Sequence, residues 1–266
     1  MRTCLNLITL GRGLGTLEGI KTAAAAGFEG VGLWADAIEQ SGRPLEHAGE
    51  IATALADSGV AAEEMCYVAG WMWSEGQELR DALETIRARS ELAAALGCPL
   101  IIACAAGGTG DLQTAAEDFR RICDIGAQFN VSFALEYIGM LEQVKDLKTG
   151  LEVVRLADHP NGKLLIDTFH TFRGGSRVEE FDLPTGAEVG LVHINDAPEG
   201  NVLQMADSDR VMPGDGVFPL SEALGKLAAG GYGGALSVEV FSQRWWDAPP
   251  QQTAEKALEG LRSVMG

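Results

Sequence analysis

The heptapeptide Leu164-Leu165-Ile166-Asp167-Thr168-Phe169-His170 governs the reading of the whole chain. An apolar run of strand length stops on a carboxylate, and a histidine follows three residues later. The pattern recurs where Leu135 runs into Glu136, Val192 into His193 and Val238 into Glu239. A charged or imidazole group that closes a buried strand is costly unless it is paired or put to chemical use. Four such endings within strand–helix alternation predict one site assembled from four strand tips. An α/β fold of the (β/α)8 TIM-barrel type builds its active site in this way, at the carboxyl ends of its parallel strands.

Outward from that heptapeptide, short β-rich runs alternate with longer amphipathic ones. Strands are expected at Leu5–Thr9, Gly30–Trp34, Ala62–Val68, Leu100–Cys104, Ser132–Tyr137, Leu164–Asp167, Gly190–Asn195 and Ala235–Val240. Helical patterns fall at Leu17–Ala26, Leu45–Ser58, Leu79–Leu96, Leu112–Phe129, Gly150–Ala157, Leu220–Ala229 and Thr253–Val264, with a short one near Val178. Such alternation points to a parallel sheet with crossover helices. Eight of each fit a closed barrel better than an open sheet. Gly27 and Gly59 stand where helices stop, and Thr16 and Asp111 where N-caps belong. No linker or repeat interrupts residues 1–266, so one TIM-barrel domain is expected. The longest irregular stretch, Ala197 to Phe218, follows the seventh strand; loops of that length are usually functional. The segments Asp36–Pro44 and Ala69–Glu75 are expected to wall the barrel mouth.

Composition sets the outer limits. The 266 residues suffice for one barrel, which takes about 250, and 46% hydrophobic residues supply its core. A formal charge of −18 argues against nucleic acid, whose phosphates select basic surfaces. No apolar run approaches the roughly 20 residues of a membrane span, and the N-terminal MRTCLNLITLGRG is too soon interrupted for a signal peptide. The five cysteines (Cys4, Cys66, Cys98, Cys104, Cys123) show neither CxxC pairing nor zinc-ribbon spacing and read as reduced, buried thiols. A cytoplasmic enzyme is the resulting expectation.

Glu136, Asp167, His193 and Glu239 form an O,O,O,N donor set suited to one divalent ion, with Mn2+ placed first and Co2+, Mg2+ or Zn2+ as alternatives. The absence of a thiolate argues against structural zinc. Each acid taken alone could equally pair with a nearby Lys or Arg. Four at consecutive strand ends, in strand segments that carry no Lys or Arg, favour a metal. His170 reads as a group that hydrogen-bonds a substrate oxygen or as an N-capping histidine. Arg210, among Asp207, Asp209 and Asp215 in the long loop, either joins a surface ion pair or offers forked donors to a substrate oxygen. Asp196 could orient a ligand, touch substrate or cap a helix. His47 and His159 read as surface groups. The glycine-rich pieces 11–15 and 107–110 lack a complete dinucleotide fingerprint and the lysine of a phosphate loop, and read as turns. Trp34, Trp71, Trp73, Trp245 and Trp246 pack the core or provide a stacking wall for a sugar.

Five segments resemble a known family: LEYIG (135–139), LLIDTFHTFRGG (164–175), VHIND (192–196), DRVMPGDG (209–216) and SVEVF (237–241). They are similar to the xylose isomerase-like barrels of the sugar phosphate isomerase/epimerase superfamily. Residues 130–266 most resemble the 2-keto-myo-inositol (inosose) isomerases. The resemblance implies a divalent metal on Glu136, Asp167, His193 and Glu239, with His170 and Arg210 binding substrate. It also suggests a homo-oligomer formed through mouth-side loops.

The expected reaction is a divalent-metal-dependent isomerisation or epimerisation of a keto-sugar or keto-inositol. Proton transfer would run through an enediolate held on the metal, one of Glu136 and Glu239 taking the proton and the other returning it. If the same enediolate expels a β-hydroxyl, the enzyme is instead a lyase, such as an inosose dehydratase or a carbon–glycoside-cleaving enzyme. An abasic-site endonuclease would need more histidines and a basic groove. A sugar-binding protein without catalysis would not need the ligand set.

Overall fold

The computed structural model of the chain describes residues 1–108 and 110–266. Eight parallel strands close into a barrel in sequence order: β1 (Arg2–Asn6), β2 (Gly30–Trp34), β3 (Ala61–Val68), β4 (Leu100–Cys104), β5 (Ser132–Glu136), β6 (Gly162–Asp167), β7 (Val189–Ile194) and β8 (Ala235–Val238). β8 pairs with β1 over Arg2–Leu5, which seals the sheet and leaves no edge. The expected TIM barrel is therefore the observed fold.

The crossovers are α1 (Thr16–Ala26), α2 (Ala35–Glu39), α3 (Pro44–Ser58), α4 (Gly76–Ala95), α5 (Leu112–Ala127), α6 (Leu147–Ala157), α7 (Thr168–Arg173), α8 (Leu220–Ala229), α9 (Gln243–Trp246) and α10 (Pro250–Met265). Gly27 and Gly59 close α1 and α3 in the left-handed conformation, as their positions suggested. Asp111 accepts from the backbone N–H of Thr114 and caps α5. Thr16 is not a cap: it is the first residue of α1, and Gly15 holds the cap position. The short pattern at Val178 is a 3-10 turn rather than an α-helix.

Alternation along the strands divides the apolar residues into two layers. Most pack between sheet and helices; in α5, Phe119, Ile122, Cys123 and Ile125 are buried there. A smaller set fills the barrel interior: Cys4, Cys66, Leu100, Ile102, Ala134, Leu165, Leu191 and Ala235. Each fully buried Leu, Ile or Phe contributes roughly 1.5–3 kcal/mol. The five thiols are free, and burial raises the pKa of each. That makes them packing groups rather than nucleophiles.

Three boundaries differ from the sequence reading in ways that affect the site. β1 ends at Asn6 because the Asn6 side chain accepts from the Ile8 N–H and turns Leu7–Leu10 into a 3-10 helix. β8 ends at Val238, so Glu239 lies just past its tip. β6 begins at Gly162 and so includes Lys163, whose Nζ donates to the Ala187 carbonyl well before the Asp167 end. Residues 69–75 do not wall the mouth: Trp71 is buried against Phe119 and Trp73 N–H is held by Asp118. Asp36 does face the mouth. Of the glycine-rich pieces, 11–15 is the turn between the first 3-10 helix and α1; position 109 of the second lies outside the described residues.

Candidate active site

Glu136, Asp167, His193 and Glu239 converge at the carboxyl end of the barrel. Each offers a buried ligand atom, and these atoms all lie within 4.8 Å of one another. Asp167 and His193 are register partners on β6 and β7. His193 Nδ1 is 3.2 Å from Glu239 Oε2, 3.8 Å from Glu136 Oε1 and 3.9 Å from Asp167 Oδ2. It is buried and makes no hydrogen bond. An orphaned imidazole nitrogen facing three carboxylates is a poor arrangement for packing and a good one for a cation. The donor chemistry fits a divalent ion with oxygen and nitrogen preference.

The carboxylates differ in their surroundings. Asp167 Oδ1 caps α7 through the His170 N–H, and Oδ2 accepts from Asn195 Nδ2 and forms an ion pair with Arg210 Nη1 at 3.1 Å, both oxygens being committed. Glu239 accepts from Asn6 Nδ2 at 3.1 Å and from Arg210 Nη1 at 2.7 Å. Glu136 accepts from the Cys104 thiol at 3.2 Å. Burial pushes the Glu136 carboxyl up to about 8, the charges of Glu239 and Asp167 adding to it against His193. Burial acts on Glu239 too, but His193 and Arg210 outweigh it and hold that carboxyl down at about 2. A cation seated among these groups would favour the charged form of both.

Arg210 reaches the site from the long loop and is 3% exposed. Its guanidinium spans Asp167, Glu239 and Asp207 and lies over the Phe169 and Phe241 rings at 5.2 and 5.1 Å. It is thus no surface pair. Arg210 Nη2 also meets His170 Nε2 at 3.1 Å; because a guanidinium only donates, that nitrogen is the acceptor. Burial, aided by Arg210, lowers the His170 pKa and keeps the ring neutral. His170 and Arg210 line a cavity of about 300 Å³ above the carboxylates, walled by Trp34, Tyr67, Ile102 and Phe241. Of the five tryptophans, only Trp34 borders it. His47 and His159 are elsewhere, beside Glu50 and Asp124.

Asp196 has none of the roles foreseen for it. Its carboxylate accepts four backbone N–H groups, from Ala197, Gly214, Gly216 and Phe218, and so ties both ends of the 197–218 loop together. Arg210 sits where it does because of that knot. Replacing Asp196 by Ala is expected to cost more than the roughly 1.5–3 kcal/mol that one hydrogen bond to a charged group contributes. Thermal unfolding and limited proteolysis at 197–218 check this; wild-type melting and cleavage would refute it.

Three contributors are absent from the sequence reading: Asn6, Asn195 and Glu64. Asn195 takes the Thr168 hydroxyl and Phe169 N–H on its oxygen while its amide holds Asp167. Glu64, in the middle of β3, is fully buried and lies behind His193.

A closed parallel barrel with acid and histidine donors gathered at its carboxyl end defines a class of protein. A model of the xylose isomerase-like TIM barrel family matches residues 20–264, and the chain belongs to that family. The 3-dehydroshikimate dehydratase of Pseudomonas aeruginosa is 32% identical over 262 residues, covering 94% of this chain and 40% of that protein. The chain thus spans about two fifths of the dehydratase's length. The inosose isomerase of Bacillus velezensis is 27% identical over 154 residues, 58% of this chain and 55% of that protein. Among solved structures, the IolI protein with a binding zinc atom superposes with a TM-score of 0.91 at 18% identity, covering 99% of this chain and 98% of that one. Among the described residues, no helix is long and apolar enough to cross a membrane.

Proposed function

We propose that the chain is a divalent-metal-dependent isomerase or epimerase of a keto-sugar or keto-inositol, working by proton transfer next to the carbonyl. The observation that carries this reading is the convergence of Glu136, Asp167, His193 and Glu239 at the cavity floor. When bound there, the ion supplies Lewis acidity to the oxygens of a hydroxy-ketone. Mn2+ is the first choice to test; the zinc in the IolI structure makes Zn2+ the second.

Glu136 takes the proton. Its sole hydrogen bond among the described residues comes from a thiol, so it can exchange partners at little cost. Glu239, clamped by Arg210 and Asn6, is the second carboxylate and returns a proton to the neighbouring carbon or the opposite face. Arg210 and His170 bind substrate oxygens. Arg210 Nε and His170 Nδ1 are buried without an acceptor among the described residues, and a polyhydroxylated ligand would satisfy them. The aromatic wall of Trp34, Tyr67 and Phe241 excludes water and offers faces to the carbon skeleton.

A lyase is the second reading, favoured by the similarity to 3-dehydroshikimate dehydratase over 94% of the chain. Elimination needs an acid for the leaving hydroxyl. His170 is a poor one, because Nε2 accepts from Arg210 and the remaining Nδ1–H belongs to a neutral ring, a far weaker acid than an imidazolium. Proton NMR in D2O, with Mn2+ and either 2-keto-myo-inositol or a ketohexose, separates the two. Deuterium uptake without loss of water is the expected result; loss of water installs the lyase, and an unchanged spectrum across both substrates removes the isomerase reading for this class.

A further inference from the structure

The buried glutamate of β3 has no place in the proton transfer, yet its surroundings are built with care. Glu64 is fully buried, and its carboxylate accepts three nitrogen or hydroxyl donors, with the Cys66 thiol a weaker fourth at 3.9 Å from Oε2. Ser237 Oγ reaches Oε1 at 2.6 Å, Asn6 Nδ2 reaches the same oxygen at 3.2 Å, and His193 Nε2 lies 2.6 Å from Oε2. No Lys or Arg pairs with it among the described residues. The neighbouring strand makes room for it: a Cβ added at Gly32 of β2 would collide with the Glu64 carboxylate. A carboxylate that costs a strand glycine and three donors from β1, β7 and β8 is there for a reason other than packing.

We infer that Glu64 is a positioning residue for the metal site, fixing His193 with its proton on Nε2 and its lone pair on Nδ1. A neutral imidazole carries one N–H, and the bond made by one ring nitrogen decides which role is left to the other. Here the carboxylate claims the Nε2 proton, and the unpartnered Nδ1 is the nitrogen that faces Glu136, Asp167 and Glu239. The carboxylate also holds the ring plane and raises the basicity of the ligating nitrogen. Asn6 extends the support, since its amide bridges Glu64 and Glu239 and so links a ligand to the group behind another ligand. Ser237, the register partner of His193, fixes the other Glu64 oxygen.

This inference rests on the metal reading above, and the test separates the two. Zn2+ is titrated calorimetrically into wild-type protein, Glu64→Gln and Gly32→Ala, with circular dichroism and melting curves as controls on folding. Removing such a support group weakens metal binding by about 10–100-fold, and both variants are expected to fall in that range while wild type binds one ion per chain. Long-range 1H–15N spectra of the Zn2+-loaded wild type should show His193 protonated on Nε2. That measurement needs no variant and stands even if one fails to fold. Wild-type affinity in a folded Glu64→Gln protein, or a His193 ring ligated through Nε2, overturns the role of Glu64. Failure of the wild type to bind Zn2+ or Mn2+ overturns the metal reading and takes this inference with it.

Discussion

Glu136→Gln is expected to slow exchange of the substrate α-hydrogen with solvent by orders of magnitude while leaving the barrel folded. The substitution keeps the volume and shape of a side chain at the tip of β5, where Leu135 on one side and Tyr137 on the other are fully buried. It removes the basic oxygen and leaves an amide that cannot carry a proton away. General acid–base groups of this kind contribute about 10²–10⁴-fold, so exchange should fall by roughly that factor at saturating Mn2+. Saturation matters, because the same change removes an anionic ligand and weakens metal binding. Glu239→Gln gives the contrast. Glu239 is committed to Arg210 and Asn6, so its loss should disturb metal affinity and return of the proton more than its removal. If Glu136→Gln retains exchange within tenfold of wild type with metal bound, the proton goes elsewhere and the assignment fails.

The parts of this site that were legible in the sequence share one trait. Glu136, Asp167, His193 and Glu239 each interrupt an apolar run, and a charge there stands out against the burial that surrounds it. The strand–helix alternation was readable for the same reason, because the sheet is covered on all sides and its strands are nearly continuous apolar runs. Glu64 carries the same kind of signal but hides beside Glu63, so the pair resembles a polar, solvent-facing patch. Alternation resolves it: Cys66 and Glu64 point to the interior, whereas Glu63 pairs with Arg2. Asn6 escaped because an apolar run, Leu7–Leu10, follows it, and hydrophobicity alone cannot separate a strand from a 3-10 helix capped by the asparagine itself. The position of Arg210 was readable only as two alternatives, a surface ion pair or a donor to a substrate oxygen, and nothing local decides between them. It depends on Asp196 gathering amides from up to 22 residues away, a tertiary knot with no local pattern.

Arg210 carries the second large effect, on stability as well as turnover. Its guanidinium is the one Lys or Arg cation found bridging the buried Asp167 and Glu239 among the described residues, and it also engages Asp207 and His170. Burial disfavours the charge on Arg210, but Asp167 and Glu239 more than offset this and keep it protonated. Arg210→Met retains the stem over Phe169 and Phe241 and removes the charge, leaving two buried carboxylates facing each other. Breaking a buried pair in this way costs about 3–5 kcal/mol, which for a chain of this size lowers the midpoint of thermal unfolding by roughly 6–20 °C. The deficit should depend on metal. A divalent cation in the ligand set neutralises the same carboxylates, and a ligand that binds only the native state stabilises it by mass action. Added Mn2+ should therefore raise the melting temperature of Arg210→Met by more than it raises that of wild type, while activity stays low because the substrate oxygens have lost their donor. Arg210→Lys should recover part of the stability and little of the activity, since an ammonium cannot fork between Asp167, Glu239 and His170. Equal melting of metal-free Arg210→Met and wild type would mean the carboxylates do not need the guanidinium, and Arg210 would return to being an ordinary loop arginine.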